Sequence, residues 1–252
     1  MSAAIPNGKM YNFFIDDNVF FFDDIYQHKF SSIFDNFYLS GLKRAHERFG
    51  TKFTLNTFYH NWHHPQFDLS LFPDCYRAEF EANSNWLKFA FHGQSEFPER
   101  PYSEAYPEKI AEHYEQWRNA ICRIAGEETL IAPVIFHYFD AAPNAREFMR
   151  RQGMKFFAVR VDCNGAFNQE FDQYEIPVDI ILNLFKADIA GIRSTLEQKI
   201  AAGQQKILIG SHEQYAYRHY KNYIPEYFDG LFAACEVMKK YGYEPVYFNE
   251  LV

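Results

Sequence analysis

Two adjacent aspartates, Asp16-Asp17, directly follow the apolar run Met10–Ile15 (MYNFFI). Carboxylates this close cannot both stay ionised at low cost unless a cation lies between them. On an extended segment their side chains would diverge, but where a strand ends the chain turns and both can reach one cavity. A metal would then engage one carboxylate and leave the other as a base. A solvated turn or a helix N-cap is the structural alternative, and the apolarity of the preceding run favours a functional pair. Asp23-Asp24, after VFFF, reads instead as a capping or surface pair. His92 and Glu96 are spaced i, i+4 in HGQSE, so both can face one point as ligands must. His60, Trp62, His63 and His64 cluster in HNWHHP, His137 lies in PVIFHYF, Asp162 follows KFFAVRV, and His212-Glu213 follow KILIG. Carboxylates and imidazoles are the hard-to-intermediate ligands of a divalent metal.

These residues need a scaffold that delivers them to one place. Short apolar or β-branched runs alternate with longer segments of helical spacing. The strand candidates are Met10–Ile15, Lys52–Phe58, Trp86–Phe91, Pro133–Phe139, Lys155–Val161, Lys206–Gly210 and Pro245–Phe248, with a further strand or excursion over Val178–Leu184. Helices are expected over Phe37–Phe49, stopped by Gly50, near Tyr76–Asn83, over Pro107–Ala125, and at Asn144–Gln152, Ile192–Ala202 and Tyr227–Tyr241. In Pro107–Ala125 the residues Ile110, Tyr114, Trp117, Ile121 and Ile124 share a face at steps of three and four. Roughly seven β/α units predict an α/β fold with a parallel sheet, open or closed into a barrel. In such folds the carboxyl ends of all strands face one side, where ligands bind. The candidate residues follow or end these strands, so one rim collects them.

The chain has 252 residues, a length that one α/β barrel commonly fills, and no linker-like stretch divides it. We therefore read residues 1–252 as a single domain. Its 28 Phe, 18 Tyr and 3 Trp make 19% aromatic content, read as a Phe-rich core with a sugar-binding cleft as the alternative. The net charge is -8 with scattered Lys and Arg, which argues against nucleic acid or an anionic membrane as partner. Cys75, Cys122, Cys163 and Cys235 are far apart and read as reduced thiols. No secretory signal is visible in MSAAIPNGKMYNF and no apolar run is long enough to span a bilayer, so the expected setting is cytoplasmic.

Taken in order, FFIDDN, FHGQSEF and KILIGSHE resemble motifs of the polysaccharide deacetylases of the NodB-homology superfamily, carbohydrate esterase family 4. The resemblance implies a distorted (β/α)7-type barrel and a divergent member of the family. It implies Asp16 as catalytic base, Asp17 as metal ligand, His92 and Glu96 as the further ligands, and His212 as general acid. The family has a histidine where Glu96 stands; the extra negative charge would shift metal preference toward harder ions. The family's third-motif arginine is missing around PVIFHYF, where His137 either stands in or is structural, and the acid-partner motif is suggested only by Asp162. Implied with these are a divalent metal, Zn2+ first and Mn2+, Co2+ or Ni2+ as others, and a carbohydrate or small acetylated substrate contacted by His137, Trp62, His60 and Asp162. For HNWHHP a stacking subsite, a second metal site and a polar loop with Trp62 packed on the core all stand open. The activity implied is hydrolysis of an acetamide or related C–N bond; the rival is a non-catalytic carbohydrate-binding member of the same fold. A glycosidase using paired carboxylates is weaker, because no acid and nucleophile stand on separate strands.

Overall fold

The computed structural model describes residues 8–104, 107–132, 135–159 and 166–251. The elements in chain order are β1 (Met10–Asn18), α1 (Phe20–His28), α2 (Phe37–Phe49), β2 (Phe53–Phe58), α3 (Arg77–Ala82), β3 (Leu87–Gly93), α4 (Pro107–Ala125), α5 (Pro143–Arg151), β4 (Phe156–Val159), β5 (Ala166–Asn168), β6 (Gln173–Pro177), β7 (Ile180–Ile181), α6 (Ile189–Ala201), β8 (Lys206–His212), α7 (Tyr227–Lys240) and β9 (Glu244–Pro245). The main sheet runs β3-β2-β1-β8-β7, with β9 against the start of β1. Every pairing in it is parallel. A second sheet, β4-β6-β5, stands apart from it. The architecture is α/β with a central parallel sheet, the distorted barrel expected of the chain.

β1 is buried along its whole length, as a strand flanked on both sides by parallel neighbours must be. Its apolar residues meet helices on one face and the interior on the other. Phe13, Phe14, Phe21, Phe22, Phe53, Phe58, Phe67 and Phe72 are essentially inaccessible to water, so much of the aromatic content is core. The helices obey local rules. Asn36 caps α2 by accepting from the Leu39 N–H at 3.0 Å, and Gly50 closes it at φ 79 with its N–H on the His46 carbonyl. α4 buries Ile110, Trp117, Ile121 and Ile124, and Trp117 Nε1 donates to Thr57 Oγ1 on β2 at 2.6 Å.

Two expectations are corrected. The described part of PVIFHYF, Ile135–Phe139, is not a fourth strand. Among the described residues the ladder continues beyond β3 only as a single bridge, Phe89 to Leu130. Residues 133 and 134 fall outside the description, and His137–Phe139 form a 3-10 turn in which Tyr138 and Phe139 adopt φ 63 and 54. Left-handed backbone cannot continue a ladder. Asp23, second, is not a surface residue: it is buried, and VFFF leads into a helix. That helix, α1, turns Asp23 inward to accept from Asn61 Nδ2 and His64 Nδ1, at 2.7 and 2.8 Å. Among the described residues no helix is long and apolar enough to cross a membrane, and Cys75, Cys122 and Cys235 are free thiols.

Candidate metal centre

The register of β1 slips between Ile15 and Asn18, and Asp17 takes φ 61 there. Aspartate tolerates this left-handed conformation better than most residues, and the slip lets both carboxylates reach one cavity. Asn18 pins the turn: its Nδ2 donates to the Asn56 carbonyl at 3.1 Å and its Oδ1 accepts from Tyr38 Oη at 2.9 Å. The cavity holds about 380 Å³ and is lined by Asp16, Asp17, His92, Glu96, Arg100, His137, Tyr138, Phe139, His212, Tyr215 and Tyr220. A larger one, about 520 Å³, shares Tyr215 but contains none of the carboxylates or imidazoles of this cluster. Chemistry, not size, selects the smaller cavity.

Asp17, His92 and His137 are all buried and place one potential ligand atom each within 4.8 Å of one another. His92 Nε2 lies 3.2 Å from Asp17 Oδ1, and His137 Nδ1 lies 3.3 Å from the same oxygen. The two ring nitrogens are 3.3 Å apart. Each imidazole spends its other nitrogen on a backbone carbonyl: His92 Nδ1 on Ile135 at 2.9 Å, His137 Nε2 on Glu96 at 3.0 Å. A carbonyl can only accept, so those nitrogens carry protons, and in the neutral tautomer each ring's remaining nitrogen offers a lone pair toward Asp17. In that tautomer three acceptors converge on one point, and a cation there, a proton shared with Asp17 or a metal ion, relieves their repulsion. Outer hydrogen bonds that fix imidazole tautomers in this way are the usual support of a metal-ligating histidine. The donor set therefore fits a divalent cation.

Burial works to raise the Asp17 carboxyl, but His137, His212 and His92 outweigh it and hold the group well below the ordinary carboxylate range. Asp16 goes the other way. Burial pushes it up to about 7, Asp17 adds to the rise, and His212 and the Asn56 amide oppose it. Asn56 Nδ2 donates to Asp16 Oδ1 at 2.7 Å. The adjacent pair is thus split into a carboxylate that keeps its charge and one that exchanges a proton near neutrality. His212 sits beside Asp16 in the β1–β8 register. Its Nδ1 donates to Asn183 Oδ1 at 2.9 Å, and its Nε2 approaches Asp17 Oδ2 at 3.9 Å, so the Nε2 edge faces the cavity.

Glu96 lines the cavity, but its carboxylate is engaged elsewhere: it accepts from Gln214 Nε2 at 2.8 Å and contacts His63 Nε2. What it gives the cluster is its carbonyl, which holds His137. His60 and Trp62 do not line the cavity. His60 pairs its backbone with Asp68 and Gln94, and Trp62, half exposed, rests against Phe97 with ring centroids 5.4 Å apart. Asp162 lies outside the described residues. The structure adds Asn56 and Asn183, which carried no local signal, and places Tyr215 and Tyr220 of the tyrosine-rich EQYAYRHYKNY on the cavity wall and Glu213 beneath it. Burial pushes Glu213 up to about 8 while the Val19, Phe20 and Phe21 amides pull it down.

No family model matches the sequence, and no curated protein does. Solved structures do. The chain aligns over 97% of its length with 90% of the Xyl-CE4 domain of a multidomain xylanase from the hindgut metagenome of Trinervitermes trinervoides, at a TM-score of 0.54 and 14% identity. The fold is that of the CE4 polysaccharide deacetylases. A CE4 acetyl xylan esterase from Clostridium thermocellum, solved with a cobalt ion, matches 96% of this chain over 90% of its own at a TM-score of 0.55 and 12% identity. A mutant CE4 pseudoenzyme with restored enzymatic activity, whose wild type comes from Bacillus anthracis, matches 98% of this chain over 68% of its own at a TM-score of 0.58 and 12% identity. The CE4 fold is therefore home to active and inactive proteins alike.

Proposed function

We propose that this chain is a metal-dependent hydrolase that removes an acetyl group, by cleaving a non-peptide C–N bond, from an N-acetylated carbohydrate or a similar small substrate. Residues 1–252 act in it as one domain. The observation that carries the reading is the convergence of Asp17 Oδ1, His92 Nε2 and His137 Nδ1 beside a second carboxylate of opposite protonation behaviour. Asp17, His92 and His137 are the proposed ligands, with His137 replacing Glu96 in that role. A divalent cation held there, Zn2+ first and Mn2+, Co2+ or Ni2+ as alternatives, supplies Lewis-acid polarisation of a carbonyl and acidification of a water.

The protein's own groups do the remaining work. Asp16, poised near pH 7, takes a proton from the attacking water. Asn56 fixes the Asp16 carboxylate by its hydrogen bond. His212 delivers a proton from Nε2 to the departing nitrogen, oriented by Asn183. Tyr215 and Tyr220 wall the cavity and suit the apolar face of a sugar ring.

The test is release of acetate from N-acetylated glucosamine oligomers by the purified chain, with metal content measured in parallel. Chelation should abolish release. Asp17→Ala should lose both metal and activity, whereas Asp16→Asn should keep metal and lose rate. Activity indifferent to chelation and to both substitutions would sink the proposal. A chain that takes up no divalent metal would favour the non-catalytic, carbohydrate-binding reading.

A further inference from the structure

We infer that Glu213 is the positioning residue that holds Asp17 in the ligand cluster, so that the His212-Glu213 dipeptide sets both the proton donor and a metal ligand. The inference rests on the metal site proposed above. α1 starts directly after the aspartate turn, yet its N-cap residue is Val19, which has no side-chain cap to offer. The unsatisfied N–H groups of its first turn reach across the fold instead. Glu213 Oε2 accepts from Val19 and Phe20 at 2.7 and 2.9 Å, and Oε1 accepts from Phe21 at 2.6 Å. Glu213 has no exposed surface. It stands where β8 ends, one residue after His212, so consecutive side chains serve opposite purposes: one enters the cavity, the other grips the neighbouring strand's turn.

Two clamps directly follow Asp17. Asn18 is tied to the Asn56 carbonyl and to Tyr38, and Glu213 holds the next three amides. The left-handed backbone at Asp17, φ 61, persists where its surroundings impose it. Loosening one clamp allows that residue to relax toward ordinary backbone and draws its Oδ1 away from His92 Nε2, now 3.2 Å distant.

The test compares wild type, Glu213→Gln and Glu250→Gln by calorimetric titration of the full chain with Zn2+ and Co2+. Glu250 is a chemically matched control. It also accepts a backbone N–H, from Tyr247 at 2.7 Å, and it lies beside Lys52, before β2 begins, at the opposite end of the strands. Glu213→Gln should weaken metal binding roughly 10–100-fold, the usual effect of removing an outer support, while Glu250→Gln should leave affinity unchanged. In wild type, added metal should slow hydrogen exchange at the Val19, Phe20 and Phe21 amides, a measurement that stands even if Glu213→Gln fails to fold. Wild-type affinity in Glu213→Gln, or amides whose exchange ignores the metal, would overturn the inference alone. A wild-type chain that takes up no metal would overturn the site proposal, and the inference with it.

Discussion

Asp16→Asn should make the metal-free protein more stable at pH 8 while removing its activity. Asp16 is 2% exposed, and its carboxyl is raised from an ordinary 3.8 to about 7 by burial. Below pH 3.8 the carboxyl is protonated in both the folded and unfolded chains. Between 3.8 and 7 the unfolded chain ionises while the folded one keeps its proton, so stability falls as pH rises. Above 7 the loss is complete. Over about three pH units at ~1.36 kcal/mol each, the loss is about 4 kcal/mol. Asparagine carries no charge at any pH and escapes it. Against this gain, the Asn56 hydrogen bond at 2.7 Å must readjust, a loss of about 1 kcal/mol. The net is about 3 kcal/mol at pH 8, equivalent to roughly 6–12 °C in Tm for a chain of this size. The assay is thermal unfolding of wild type and Asp16→Asn at pH 5 and pH 8 after chelation, then again with metal. The gap should be small at pH 5 and wide at pH 8. A cation beside Asp17 stabilises the Asp16 carboxylate and should narrow the gap. Equal stability at the two pH values, or a variant less stable than wild type at pH 8, would refute the argument that burial strains this group.

Four further outcomes are expected. His137→Ala should weaken metal binding by about two orders of magnitude, since a three-ligand site sharing ~10 kcal/mol assigns about 3 kcal/mol to each ligand; Glu96→Gln, which keeps the carbonyl, should cost less than about tenfold on the same calorimetric scale. Asn183→Leu removes the acceptor from His212 Nδ1, and steady-state kinetics should show kcat lowered roughly 10–100-fold with KM little changed. The acid limb of the pH–rate profile should lie between the ordinary carboxylate range and about pH 7, because burial raises the Asp16 carboxyl and the bound cation lowers it; a limb above pH 7 would assign the base elsewhere. Dialysis against a chelator should abolish acetate release, and Zn2+ or Co2+ should restore it.

What could be read from the sequence was what local chemistry decides. α2 and α4 lie where spacing puts them: Gly50 ends α2 within a turn of its own helix, and Ile110, Trp117, Ile121 and Ile124 form the buried face of α4. The rim was legible for a topological reason: parallel strands all end on one side, so acids and imidazoles that follow strands must meet. The choice between Glu96 and His137 was not legible. It depends on a 3-10 turn at His137 with two left-handed residues behind it, and an apolar PVIFHYF reads as strand by every periodicity rule. Asn183 and the partners of Glu213 were hidden for another reason. Asn183 meets His212 across 29 positions and Glu213 meets Val19 across 194, distances over which spacing carries no signal. Asp23 looked like a surface cap because VFFF gave no sign that a helix begins within it.

The placement of Glu96 bears on which cation the site suits. Had its carboxylate joined Asp17 with a single imidazole, the set would have held two charged oxygens and favoured harder ions. Two imidazoles and one carboxylate make a softer, less charged set, of the kind that binds Zn2+ with positions left open. The carboxylate is not idle for being absent from that set. Tied to Gln214 and His63, it fixes the segment whose carbonyl, 3.0 Å from His137 Nε2, sets that ring's tautomer. A position that gives up its own ligand atom thus orients the ring proposed to replace it. The proposed ligand set and its hydrogen-bonded support are therefore one mechanical unit spanning β1, β3, the His137 turn and the end of β8, and a change in any of these segments should be felt first as a change in metal affinity.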